Sequence, residues 1–191
     1  MASVLFKNET RNSVSRTSLS EMTDEQVMAK VAQGDLGMLK ILFERHHKHI
    51  YNFLFKMSGD KMLSEDLTQE VFYKVIKYRS SYNNGKFVSW LFTIARNGMT
   101  SHFRSHKQQH HLELTEVADT VSDPIEEEDH SLLQRALNRL ETSDRELIVL
   151  NRFQKIPYGE IAEMIGSTEG AVKTKACRAL KKMRKMYLES M

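Results

Sequence analysis

The sequence predicts an all-α chain of two small helical domains, a four-helix N-terminal unit and a C-terminal helix-turn-helix unit, joined by a flexible acidic linker. Three observations support that fold class. Glycine (8) and proline (2) are scarce among 191 residues, while Leu, Met, Lys and Glu abound, which favours helices over strands and turns. From Asp24 onward the apolar residues recur three and four apart, the period of a helix with one buried face. Charge is laid down in blocks, +5 over residues 1–106, −7 over 107–130 and +5 over 131–191, within a net charge of +3. Two basic blocks around an acidic one suggest two modules that each meet a polyanion.

Residues 1–20 are polar and carry Arg11 and Arg16 among Ser, Thr and Asn. They lack the apolar core of a secretory signal and are expected to be a disordered tail. A short helix is expected over Asp24–Gln33, ending at Gly34. The next carries Leu39, Leu42, Phe43, Ile50, Phe53, Leu54 and Met57 and stops near Gly59. A third carries Leu63, Leu67, Val71 and Val75, four apart, as a single apolar stripe. The loop Arg79–Lys86 is rich in turn formers. A fourth helix follows, with Phe87, Trp90, Leu91, Ile94, Ala95, Met99 and Phe103 inward, so that the first unit spans 21–107. Residues 108–130, interrupted by Pro124, read as the linker. Helical spacing resumes for the second unit, 131–191, at Leu132, Leu133, Ala136, Leu137 and Leu140. Ser143 with Glu146 three residues later has the pattern of a capping box.

Pro157 precedes a short helix over Tyr158–Ile165. Gly166 then supplies the positive φ of a tight interhelical turn, and Ser167 or Thr168 can cap the next helix. Ala162 is small enough for close approach, and Ile165 and Val172 plug the crossing. That spacing is what a helix-turn-helix requires. On a helical wheel, Val172, Ala176, Ala179, Leu180 and Met183 share one side. Thr174, Arg178, Lys181 and Lys185 take the other, flanked by Lys173, Lys175 and Lys182. Gly170 leaves room near the helix start. Apolar toward its own domain and basic outward, the helix suits the major groove of duplex DNA. A merely solvated basic helix would explain neither the Ala–Gly–Val spacing nor the preceding helix.

The remaining signals are weaker. A single cysteine, Cys177, excludes an internal disulfide and a cysteine zinc cage, and fits a reducing cytoplasm. No apolar run approaches the ~20 residues a bilayer crossing needs, so no membrane insertion is expected. His46–His49 and His106–His110 have ligand spacing only in pairs, and surface or core histidine is the plainer reading of them. No nucleophile triad, phosphate loop or carboxylate pair stands out. The expectation is no metal, no cofactor and no enzymatic activity of its own.

The run Asp66-Leu-Thr-Gln-Glu-Val-Phe72, followed by Lys86-Phe-Val-Ser-Trp-Leu-Phe-Thr-Ile-Ala-Arg-Asn97, resembles the second domain of bacterial sigma factors. Within the sigma-70 family it is similar to the extracytoplasmic-function group, which has two folded domains and a linker. Val31-Ala-Gln-Gly-Asp35 matches that group too, as do Gly159-Glu-Ile-Ala162 and Gly170-Ala-Val-Lys-Thr-Lys175 of its fourth domain. The likeness covers about Glu21–Glu189 in the family's order.

The resemblance implies a cytoplasmic protein that binds core RNA polymerase and directs promoter-specific initiation. Its partners would be promoter DNA, double-stranded and melted single-stranded, and an anti-sigma factor. Asp66, Gln69 and Glu70 would grip the polymerase; the plain alternative is an exposed polar face with a Glu70–Lys74 helix pair. Tyr82, Asn83, Asn84, Lys86, Trp90, Arg96, Asn97 and Arg104 would read and open the minus-ten element, where rings stack on bases and cations meet phosphates. Spacing makes Phe87 and Trp90 core residues first, and Arg96 is open to an internal ion pair. Thr168, Gly170, Lys173, Thr174, Lys175, Arg178, Lys181 and Lys182 would meet the minus-thirty-five element. Only Arg178 among the matched positions has the planar fork for bidentate guanine reading. The acidic linker is a nucleic-acid mimic in the polymerase channel or a solvating spacer. A stand-alone helix-turn-helix repressor or activator is the rival reading. It has no use for the Asp66–Phe72 surface.

Overall fold

Local signals set most helix boundaries. In this computed structural model, residues 21–83, 85–110 and 128–189 are described. Helix α1 (Asp24–Ala32) opens on a capping box: the Thr23 hydroxyl accepts from the Gln26 amide at 3.3 Å, and Gln26 Oε1 accepts from the Thr23 amide at 2.9 Å. A 3-10 turn (Leu36–Met38) leads into α2 (Leu39–Ser58), which ends where Gly59 takes φ 77°. Asp60 then caps α3 (Lys61–Lys77) by accepting from Leu63 N at 3.0 Å. The adjacent stop and start allow a two-residue connection. After a second 3-10 turn (Arg79–Ser81) comes α4 (Phe87–His110).

The second unit holds α5 (Glu128–Asn138), α6 (Thr142–Ile148), a π-helical turn that prolongs it (Val149–Phe153), α7 (Tyr158–Ile165) and α8 (Glu169–Leu188). No strand occurs among the described residues. Among them, too, no helix is long and apolar enough to cross a membrane.

The expected stripes are the buried ones. Leu67, Val71 and Val75 of α3 meet Leu42, Phe53 and Leu54 of α2 and Phe87, Leu91 and Phe92 of α4 in one core. Phe53 and Phe92 stack edge to face at 5.5 Å. Two residues depart from expectation: Phe103, expected inward, is exposed near the end of α4, and so is Phe43 on α2. Phe43 still lies edge-on to buried Phe72 at 4.9 Å.

The expected capping box at Ser143 does not form. Helix α6 starts one residue earlier, at Thr142, and Ser143 lies inside its first turn with its hydroxyl on Glu141. Glu146 instead turns toward the first unit. Its target, Arg96, lies 50 residues upstream, beyond the reach of a local pattern.

The buried side chains of both units form one continuous apolar cluster. Helix α2 touches α5, α6 and the π turn, and α4 touches α7. Arg145 bridges the units with donors to Met57 O (2.6 Å) and Asn138 O (2.7 Å), meeting carbonyls left open at helix ends. Its partial burial lowers its pKa. Lys56 sits 4.4 Å over the Phe153 ring. The expected linker falls largely on residues 111–127, outside the described ones, as do the tail 1–20 and Asn84.

Candidate nucleic-acid interface

Gly166 has φ 66°, the left-handed turn expected of it, and Thr168 caps α8 by accepting from Ala171 N at 3.3 Å. Ala162 and Val172 are buried at the crossing. A Cβ built on Gly170 would meet nothing within 4 Å, so the start of α8 is sterically open.

The basic residues of α8 fall into two sets. Lys182 Nζ reaches Asp144 Oδ2 at 2.8 Å, and Lys175 Nζ reaches Ser143 Oγ at 2.7 Å and Asp144 Oδ1 at 4.0 Å. Asp144 is 4% exposed, so these lysines clasp α8 to α6. The bond to Asp144 raises the Lys182 pKa. Lys173 pairs with Glu169 at 2.6 Å along the helix, and the Thr174 hydroxyl donates to Gly170 O. Arg178, Lys181 and Arg184 are exposed and make no ion pair with a described residue. Arg184 and the exposed Cys177 share the outward arc with Thr174 and Lys181. Sequence reading passed over both, although the wheel places them there.

In the first unit, Tyr82 is buried rather than presented outward, and its hydroxyl donates to Gly85 O. It packs with Trp90 at 5.3 Å and Phe87 at 6.3 Å. Burial, then the charges of Glu25 and Asp24, push its phenol up to about 12. Phe87 is fully buried and Trp90 partly so, which matches their reading as core residues first. Glu25 accepts from the Phe87 amide at 3.2 Å, and Asp24 binds His46 at 2.7 Å and Arg45 at 2.8 Å. Helix α1 therefore braces the start of α4. Asn83, Lys86, Asn97 and Arg104 are exposed. Arg96 Nε donates to Glu146 Oε1 at 2.6 Å, the internal ion pair left open by the sequence. Burial pushes the Glu146 carboxyl up, against the opposing pull of Arg96.

Asp66, Gln69 and Glu70 are exposed on α3, and Glu70 also pairs with Lys74 at 2.8 Å. Sequence reading missed their neighbours Met62 and Tyr73, which are 76% and 64% exposed. Their signal was available: Met62, Asp66, Gln69 and Tyr73 fall four, three and four apart, on the side away from the stripe. Large bare apolar side chains beside carboxylates suit a partner surface rather than water.

The histidines whose side chains are described do not gather into a metal site. No group of three metal-binding side chains occurs among the described residues. His46 is committed to Asp24, and His47 Nδ1 bonds Phe43 O at 2.8 Å. The side chains of His106, His110 and His111 lie outside the described set.

Residues 42–109 match the family model described as Sigma-70 region 2, and 130–183 match that of Sigma-70, region 4. The RNA polymerase sigma factor CarQ of Myxococcus xanthus is 31% identical over 170 residues, covering 85% of this chain and 96% of CarQ. The ECF RNA polymerase sigma factor BldN of Streptomyces coelicolor is 26% identical over 84% of this chain, and the chain spans 64% of BldN. Among solved structures, the sigma factor RpoE of Bartonella quintana, in complex with the anti-sigma factor NepR, superposes with a TM-score of 0.65 at 24% identity, over 77% of this chain and 94% of RpoE. At that identity the likeness speaks to the fold.

Proposed function

The chain belongs to the extracytoplasmic-function group of the sigma-70 family, and on that footing we propose how its surfaces divide the work of promoter-specific transcription initiation. Residues 21–107 bind core RNA polymerase and open the minus-ten element. Residues 131–191 read the minus-thirty-five element, and 108–130 connect the two. RNA synthesis itself is polymerase chemistry, and in this reading the protein works beside the enzyme in the cytoplasm.

The polymerase face is the exposed strip of α3, with Asp66, Gln69 and Glu70 meeting a basic partner helix and Met62 and Tyr73 as its apolar anchors. The upstream reader is the free cationic arc of α8, where Arg178 reads base edges and Lys181 meets phosphates; Lys173, paired with Glu169 in the free chain, adds a phosphate contact beside it. Lys175 and Lys182 act chiefly by orienting α8 through Asp144. Asn83, Lys86, Asn97 and Arg104 form the downstream contact surface, with Trp90 at its edge. RpoE was solved with an anti-sigma factor, and a protein of that class is the regulator we expect here.

The observation that carries this reading is one chain holding both an acidic face with two bare apolar anchors and, on a separate helix, an unpaired cationic reading face. Reconstitution with core polymerase tests it. The holoenzyme should give a promoter-dependent transcript, and the protein alone should not. A protein that footprints an inverted repeat without polymerase, and directs no transcript with it, would be a stand-alone repressor or activator instead.

A further inference from the structure

The downstream surface is not bare. Glu160, in the first turn of α7, crosses from the second unit to the first, where Lys86 Nζ bonds its Oε1 and Ser89 Oγ bonds its Oε2. Its side chain is only 16% exposed. Lys86 immediately precedes α4, and its carbonyl accepts from Trp90 N at 3.1 Å. Ser89 lies in the first turn of that helix. An ammonium and a hydroxyl thus converge on two oxygens of one anion, while the Phe87 amide at the helix start is taken by Glu25. Seven residues further along α4, a second carboxylate of the same unit, Glu146, holds Arg96.

We propose that Lys86 and Ser89 form a phosphate-binding site for the DNA backbone, and that Glu160 is an internal stand-in for that phosphate which occupies their donors in the free chain. The inference rests on the reading of Lys86 as part of the downstream contact surface. The carboxylate offers two oxygens with the charge and hydrogen-bond capacity of a phosphodiester's two non-bridging oxygens. Burial works against ionisation of Glu160, but the bonds from Lys86 and Ser89 and the lysine's charge outweigh it and hold the carboxyl below its ordinary value. The same bond, and then the carboxylate's charge, raise the Lys86 pKa. Glu160 therefore stays anionic at neutral pH. DNA must displace it, and displacement draws α7 away from α4. The helix-turn-helix is released from α4 in the same step that frees the donors of Lys86 and Ser89.

The test uses the full-length chain and a fluorescent single-stranded deoxyoligonucleotide, with binding followed by anisotropy over a salt series. Glu160→Gln should bind at least about threefold tighter than wild type. Its slope of log K against log[salt] should be steeper by roughly 0.7, the value for one more phosphate contact on a single strand. Glu163→Gln removes the same charge from an exposed position on the same helix and should gain far less. Adding Lys86→Gln to Glu160→Gln should abolish the gain. Unchanged affinity in Glu160→Gln, or an equal gain in Glu163→Gln, would overturn the proposal. Scattering should also show Glu160→Gln more extended than wild type; a gain in affinity with unaltered dimensions would refute displacement of α7. The oligonucleotide assay needs no polymerase. Normal promoter-directed transcription by wild type beside an unimproved Glu160→Gln would defeat this inference and leave the function standing.

Discussion

Replacing Arg96 with alanine separates a structural ion pair from a DNA contact. Arg96 and Glu146 join the two units at 2.6 Å, with side chains 29% and 14% exposed. Removing one partner of a fully buried pair costs about 3–5 kcal/mol, because the other charge is stranded. Partial exposure of both groups screens this one, so we expect ~1–2 kcal/mol. For a chain of this size that lowers Tm by ~2–8 °C. The assay is thermal unfolding of wild type, Arg96→Ala, Glu146→Gln and the double variant, read as a double-mutant cycle. Arg96→Ala should be the worse single change, and Glu146→Gln should recover most of its loss. The pH dependence follows from Glu146, whose folded pKa burial raises. Its contribution to stability is fully present below the ordinary carboxylate pKa and is lost as pH rises through the raised folded value. Without Arg96 that value rises further, so the deficit of Arg96→Ala should shrink on acidification from neutral toward about pH 5. A pH-independent deficit, or two substitutions additive within about 0.5 kcal/mol, would refute the reasoning.

Three further outcomes are expected. Asp66→Arg and Met62→Asp should each weaken capture of core polymerase by at least tenfold while full-chain DNA affinity stays put; normal holoenzyme assembly in pull-down or competition would exclude α3 as the docking face. Arg178→Ala should cost ~1–3 kcal/mol of discrimination between cognate and scrambled upstream elements, whereas Lys181→Ala should weaken both equally and flatten the salt dependence; equal losses from Arg178→Ala on the two elements would remove it from the readers. Gly166→Ala should destabilise by ~1–2 kcal/mol through its left-handed backbone alone, since an added Cβ meets nothing within 4 Å; Gly166→Asn should recover part of that in chemical denaturation, and a loss above about 3 kcal/mol would mean a packing role instead.

The helices and their buried faces were legible because periodicity, caps and glycine stops are local. Thr168, Gly166 and Asp60 each act within a few residues of where they stand. The failures share a cause. Ser143 and Glu146 have capping-box spacing, yet Glu146 is taken by an arginine from the other unit. Phe103 continues the apolar stripe of α4 but outruns the core it was assigned to. Lys175 and Lys182 look identical in sequence to the free cations beside them, and only buried Asp144 distinguishes them. Met62 and Tyr73 could have been found, by asking which large apolar side chains lie off the stripe.

By itself the sequence determined the all-helical class, the turn chemistry of the helix-turn-helix and the family, since each is written in spacings of a few residues or in motifs read in order. Tertiary structure decided which charges are available. Lys86 and Arg96 meet carboxylates 74 and 50 residues away, and Lys182 meets one 38 residues away. A charged side chain carries no mark of its partner. Whether it faces solvent, clasps a neighbouring helix or closes a site is settled only when packing brings the opposite charge within about 4 Å and excludes the water between them.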